Sequence, residues 1–298
     1  MDDCSRIDWN PIQVGQPHSQ LAAVIAGFLF AGIVFLLGRR RPSAHDSYPY
    51  VLMLPSFFVL LLDSFFFSAI SGEQSCNRAW TETMIAAGLL GTGSLGVFAG
   101  LSWVIYNSRR GEREPLRIVL VISRVIAIII LTHLQVTTVF YLRDIYSPNQ
   151  PPGWLAIATW LITGGVVGLL ICASLLRRRR QAGSTAVHAA AYCSLFYGVV
   201  CSVAFAILGG RPKAEWEPTP TWITVTAVLI ALTTAGVATT AQVAALPSAN
   251  GAKQELASVR TTVLAPRSPL PASGTTVAPE PAQTVPTTTP PGHPKIED

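Results

Sequence analysis

The sequence predicts an all-α fold, a bundle of seven transmembrane helices. Half of its 298 residues are hydrophobic and only 12% are charged, whereas soluble proteins carry about 25% charged residues. The mean hydropathy is +0.44, and several uncharged runs approach the roughly 20 residues that cross a bilayer. These runs are continuous, which excludes β-barrel strands because those alternate polar and apolar residues. The composition therefore indicates a polytopic membrane protein.

Seven segments are long and apolar enough to cross a membrane as helices. A polar amino-terminal segment, residues 1–19, precedes the first of them. We predict a seven-helix domain over residues 20–246, with spans at 20–38, 48–71, 84–106, 118–142, 154–176, 188–208 and 222–246. Three aspartates precede the first span and the basic cluster Arg39, Arg40 and Arg41 follows it. This charge order is the reverse of a signal peptide, so we expect a membrane helix there.

Basic residues alternate between the loops and predict the orientation of the bundle. Thirteen lysines and arginines lie on the side that contains Arg39, counted over the loops and the tail up to Arg260, and five lie on the opposite side. The positive-inside rule places the thirteen in the cytoplasm and the amino terminus outside. Because the basic residues flank the spans, they orient a membrane protein and do not indicate a nucleic-acid partner. We therefore expect a multi-pass protein of the cytoplasmic membrane.

The composition changes abruptly after the last span. Residues 247–298 hold ten of the 22 prolines, mixed with threonine, alanine and serine. Such a segment cannot bury enough apolar surface to become ordered, so we predict a disordered cytoplasmic tail. The tail either docks soluble cytoplasmic proteins or is a spacer without a partner.

The third span carries a stripe of small residues at every fourth position. These residues share one helix face and allow a neighbouring backbone to approach closely; they are Gly88, Thr92, Gly96 and Gly100. The same span contains a G-x-G-x-x-G pattern, but a dinucleotide site needs a preceding strand and a water-exposed crevice. Cys193 and Cys201 lack a nearby third ligand, so they do not indicate a metal site. The sequence predicts no cofactor and no metal.

Three residues with acidic or basic side chains lie well inside the predicted spans, namely Asp63, Arg124 and His133. At 1.5 Å per residue, Asp63 and His133 lie about 12 and 13–14 Å below the outer ends of their spans. Arg124 lies nearer the cytoplasmic interface, which its long side chain can reach. Because the two depths match, we predict that Asp63 contacts His133.

Two further polar residues extend this predicted intramembrane site. Thr137 lies one turn beyond His133 on the same helix face, and Tyr197 belongs to the sixth span. Together with Asp63 and His133, they could line a polar cavity open to the outside. A carboxylate beside a histidine changes charge near neutral pH, which is typical of a proton or solute site. The alternative is a structural ion pair that needs no substrate.

Cys4 and Cys76 are the two cysteines outside the predicted spans, and the predicted topology places both on the outer face. That compartment permits disulfide bonds. The chain between Cys4 and the first span is about 15 residues, long enough at about 3.4 Å each to reach Cys76. The sequence leaves open whether the two form a disulfide bond or remain free thiols.

One acid and one base without a nucleophile or a metal cluster do not indicate an enzyme. The short loops leave no room for a catalytic or ligand-binding domain. The sequence favours a scaffold or partner subunit of a membrane assembly; the alternative is a small transporter or sensor that uses Asp63 and His133. Expected partners are the lipid bilayer, other membrane proteins and, through the tail, soluble cytoplasmic proteins.

Overall fold

A computed structural model describes residues 4, 9–38, 47–108, 113–147, 149–179, 183–216 and 219–247, and over these ranges the chain is helical without strands. Seven helical stretches are long and apolar enough to cross a membrane, as predicted. In chain order the α-helices are α1 Pro11–Leu37, α2 Tyr48–Ile70, α3 Cys76–Ala86, α4 Leu89–Asn107, α5 Arg113–Ile145, α6 Gly153–Arg179, α7 Ser184–Gly209, α8 Thr221–Leu229 and α9 Ala235–Ala245. The predicted tail, apart from Pro247, lies outside the described residues.

The first helix, α1, begins at Pro11, nine residues before the predicted start of the first span. The Asn10 side chain caps it, because Oδ1 accepts a hydrogen bond of 3.0 Å from the backbone amide of Ile12. An asparagine cap followed by proline at the first helical position is a strong start signal. The early start brings a mostly polar stretch of about two turns, residues 13–20, into the helix.

Two of the seven membrane-crossing stretches are interrupted near their middle. The third consists of α3 and α4, which a turn at Ala87 and Gly88 separates. The seventh consists of α8 and α9, which a π-helical turn over Ile230–Thr234 joins. The two interruptions lie in contact with each other, because a Cβ atom built on Gly88 would lie 2.7 Å from the Cβ of Ala235. π-Helical turns inside α-helices often mark functional sites.

The predicted small-residue stripe of α4 lies against neighbouring helices. A side chain at Gly96 would collide with Ser56 of α2, and one at Gly100 would come within 2.6 Å of Met53 Cγ. Gly88 faces α7 and α9, where Tyr197 Oη would lie 2.6 Å from an added Cβ. Thr92 is buried, and its hydroxyl donates a 2.7 Å hydrogen bond to the Gly88 carbonyl. The stripe thus places α4 at the centre of the bundle.

The amino-terminal segment is attached to the start of α3. Cys4 and Cys76 form a disulfide bond, with their Cα atoms 5.3 Å apart. Next to it, the rings of Trp9 and Trp80 pack with their centroids 5.0 Å apart. These two contacts hold the beginning of α1 over the bundle at the end that carries Asp63.

Candidate functional site

A buried acid–base pair joins α1 to α2. Nε2 of His18 lies 3.3 Å from Oδ2 of Asp63, the side chain of His18 is 20% exposed and that of Asp63 is fully buried. Neither carboxylate oxygen nor Nε2 makes a hydrogen bond within the described residues. A buried carboxylate without hydrogen bonds is costly, and its charge is stabilised only by nearby dipoles and the imidazole. The pair can therefore exchange or release a proton.

Close packing of α1 on α2 sets the position of His18. A Cβ atom on Gly15 would lie only 2.9 Å from the carbonyl oxygen of Phe67, so glycine lets the two backbones touch. The His18 ring stacks on the Phe67 ring with centroids 3.8 Å apart. One residue further, the Ser19 hydroxyl donates a 2.7 Å hydrogen bond to the Ser64 carbonyl. The pair thus lies within a tight contact between two helices.

The interruption of the third span faces the Asp63 carboxylate. The backbone amide of Leu90, in the first turn of α4, is a favourable polar neighbour of Asp63, although it lacks the geometry of a full hydrogen bond. Amides in a first helical turn have no partner within their own helix. They also carry the positive end of the helix dipole, which stabilises an anion. The broken span therefore provides a partial positive charge beside a buried acid.

Helix α7 supports the other side of this interruption. The Tyr197 hydroxyl donates to the Ile85 carbonyl at 3.3 Å, and the Cys201 thiol donates to the same oxygen at 3.4 Å. An unbroken helix would bond that carbonyl to the amide of residue 89. Both side chains also lie within electrostatic range of Asp63. Tyr197 and Cys201 thus stabilise the broken span and face the acid.

The predicted contact between Asp63 and His133 does not form. Asp63 pairs with His18, and His133 lies on an exposed face of α5. Within the described residues, no hydrogen bond or ion pair joins Asp63 to His133 or to the buried Thr137. His133 remains within electrostatic range of His18. The sequence placed Asp63 and His133 at the same depth, but depth does not determine which way a side chain points around its helix.

His18 is the site residue that the sequence analysis missed. It lies in the polar turn before the first long apolar run, so it was assigned to the outer segment, residues 1–19. The cap at Asn10 and the proline at position 11 are the signals that could have placed it inside a helix. Pro17 directly precedes it and removes a backbone donor, which weakens the helix at that point.

A second group of buried polar side chains lies deeper in the bundle. Ser56 is two helical turns from Asp63 on the same face of α2, and it adjoins Gly96 and Gln242. The Gln242 side-chain amide donates a 2.8 Å hydrogen bond to the Ser194 hydroxyl. Two polar atoms here, Gln242 Oε1 and Thr239 Oγ1, have no hydrogen-bond partner within the described residues. This second group lies two helical turns along α2 from Asp63, with the buried Leu60 between them.

A separate ion cluster lies near the start of α3. Nε of Arg78 is 3.0 Å from Glu73 Oε2 and 2.9 Å from Glu82 Oε1. Glu82 is buried, and sequence analysis missed it because the third span begins eight residues before its predicted start. Arg78 thus lies between two carboxylates, whereas Asp63 is paired with an imidazole.

No group of three or more histidine, cysteine or acidic side chains could hold a metal ion in the part of the chain that the structure describes. Comparisons with protein-family models, curated proteins and solved structures find no match to this chain. What the site can do chemically therefore follows from its own geometry. It offers a buried acid, a partly exposed imidazole, and a broken helix beside the acid.

Proposed function

We propose that this chain is a proton-responsive transporter or sensor of the cytoplasmic membrane, and that Asp63 and His18 form its proton site. The observation that carries the proposal is a fully buried carboxylate that has no hydrogen bond among the described residues and has one imidazole at 3.3 Å. Ionisable groups inside a membrane are costly and usually functional. His18 replaces His133 as the base of the predicted site, and Tyr197 stays beside the acid.

Two features favour a functional pair over a purely structural one. Helix interruptions at the centre of a bundle are typical of transporter binding sites, where half-helix amino termini face anionic groups. The amino terminus of α4 faces Asp63 in this way. Deeper in the bundle, two buried polar atoms, Gln242 Oε1 and Thr239 Oγ1, also have no hydrogen-bond partner among the described residues. A scaffold, which the sequence favours, requires neither feature.

A pH titration of intrinsic tryptophan fluorescence tests the proton site. Trp9 and Trp80 pack at the start of α1 and α3, so a movement of His18 away from Asp63 changes their environment. We expect a pH-dependent transition in this fluorescence as the Asp63–His18 pair takes up a proton. The groups that face Asp63 are His18 of α1 and Tyr197 and Cys201 of α7.

Both Asp63→Asn and His18→Gln are expected to abolish this transition. His188→Gln is the matched control, because His188 is exposed on α7 and its ring forms a hydrogen bond with the Ser184 carbonyl of its own helix. A transition that persists unchanged in Asp63→Asn contradicts the proposal and leaves the scaffold role. If Asp63→Asn abolishes the transition, proton flux into vesicles that contain the purified protein distinguishes a transporter from a sensor.

The orientation is the second part of this proposal. The Cys4–Cys76 disulfide bond supports an outer amino terminus, because disulfide bonds persist in oxidising compartments. Single cysteines at Gln150 and Ser108, both exposed, test it in a background without the free thiols of Cys172, Cys193 and Cys201. In intact cells, a membrane-impermeant maleimide is expected to label Gln150→Cys and not Ser108→Cys. The reverse pattern overturns the orientation.

A further inference from the structure

An open crevice of about 680 Å³ lies between α5 and α6. Its walls are mainly apolar side chains of the two helices, and Val243 of α9 contributes to its lining. Near one end of it, the Thr163 hydroxyl donates a 2.5 Å hydrogen bond to Gln135 Oε1 and links the two helices. Toward the other end, Arg124 and Ser174 face the crevice. The crevice is thus apolar along its length and cationic at one end.

Arg124 has no ion-pair partner among the described residues. It is exposed on α5. Arg117 lies seven residues earlier, hence on the same face and about 10 Å nearer the basic end of the helix. Guanidinium groups bind phosphate through paired hydrogen bonds. Two arginines on one face therefore favour an anionic headgroup.

The dimensions of the crevice match one lipid leaflet. From Arg124 to Val136 the lining of α5 extends over about 18 Å at 1.5 Å per residue. Half of a bilayer's hydrocarbon core is about 15 Å thick. A lipid whose phosphate lies at Arg124 would therefore place its acyl chain along the apolar walls as far as the Gln135–Thr163 bridge.

We propose that this crevice binds an anionic phospholipid from the leaflet at the basic ends of α5 and α6. Arg124 and Arg117 hold the headgroup phosphate, and one acyl chain lies between α5 and α6. The site is separate from Asp63, so its failure would leave the proposed proton site untouched. Bound lipid would also cover the exposed apolar walls that the two helices present to each other.

Lipid-dependent thermal unfolding of the full chain in mild detergent tests the proposal. The midpoint is measured against added dioleoyl phosphatidylglycerol and, separately, dioleoyl phosphatidylcholine, because a ligand of the folded state raises it. We expect the anionic lipid to act at a concentration at least tenfold lower. Equal potency of the two lipids on the unmodified protein overturns the proposal, and this comparison needs no variant.

Two variants test whether the lipid acts at this crevice. Arg124→Gln is expected to reduce the potency of phosphatidylglycerol to that of phosphatidylcholine. Val167→Trp fills the crevice and is expected to weaken the binding of both lipids. Arg143→Gln is the matched control, since Arg143 is exposed near the opposite end of α5, and it keeps the preference. A preference that survives Arg124→Gln contradicts the site. If inorganic phosphate alone raises the unfolding midpoint as much as phosphatidylglycerol does, the ligand of the crevice is not a lipid. A co-purified polypeptide that displaces the lipid from the crevice also contradicts the proposal.

Discussion

Two helices rich in glycine, α4 and α6, have opposite surroundings. Around α4, an added Cβ at Gly91 would lie 2.5 Å from Ile130 Cγ1, and one at Gly93 would lie 2.6 Å from Leu60 Cγ. In α6, added Cβ atoms at Gly164, Gly165 and Gly168 would meet nothing within 4 Å. The same residue type thus permits close packing at the centre of the bundle and leaves open surface at its edge.

The comparison shows what glycine spacing does and does not determine. A small-residue face allows a close approach, but a neighbour must be present to use it. Helix α4 has neighbours on several sides, including α2, α5, α7 and α9, whereas α6 packs mainly on α9 and borders the open crevice. Substitutions in the two helices should therefore differ in their effect on stability.

The largest expected difference concerns two tryptophans. Trp103 of α4 is 1% exposed and its indole donates a 2.9 Å hydrogen bond to the Ala245 carbonyl, whereas Trp160 of α6 is 64% exposed. Trp103→Ala should lower the free energy of unfolding in detergent by about 3–5 kcal/mol, because it leaves a cavity. Trp160→Ala should change it by no more than about 0.5 kcal/mol. Equal losses of unfolding free energy in the two variants would contradict the difference in packing between α4 and α6.

A smaller difference is expected for glycine-to-alanine substitutions. Gly96→Ala should cost about 1–3 kcal/mol, since the added methyl collides with Ser56 and overpacks the core. Gly164→Ala should be neutral or stabilise by up to about 1 kcal/mol, because alanine favours helix and nothing obstructs it. Denaturant titration of both variants measures the difference. A destabilising Gly164→Ala would mean that α6 has a close neighbour.

The seven spans could be predicted from the sequence because about 20 consecutive apolar residues specify a membrane helix almost regardless of context. The boundaries of α1 and α3 could not, because both helices begin in polar turns that apolar runs do not mark. No pattern of apolar residues in the sequence marks the turn at Gly88 or the π-helical turn. They depend on contacts between spans, such as those of Tyr197 and Cys201 with the Ile85 carbonyl.

The candidate site was predicted in part. Asp63 was identified because a carboxylate inside a long apolar run is exceptional. Its base was assigned wrongly, because depth along a helix follows from residue number, whereas the partner depends on which helices are neighbours. The close approach of α1 at Gly15 brings His18 to Asp63, and that approach is a property of the packed bundle.

The most direct test of the acid–base pair is a double-mutant cycle on stability in detergent. The cycle combines His18→Gln with Asp63→Asn, and a control cycle combines His133→Gln with Asp63→Asn. Because residues in contact are coupled, we expect an interaction free energy between about 0.5 and 3 kcal/mol for His18 and Asp63 and a smaller one for His133 and Asp63. Additive losses in the first cycle, or equal coupling in the second, would contradict the pairing of His18 with Asp63.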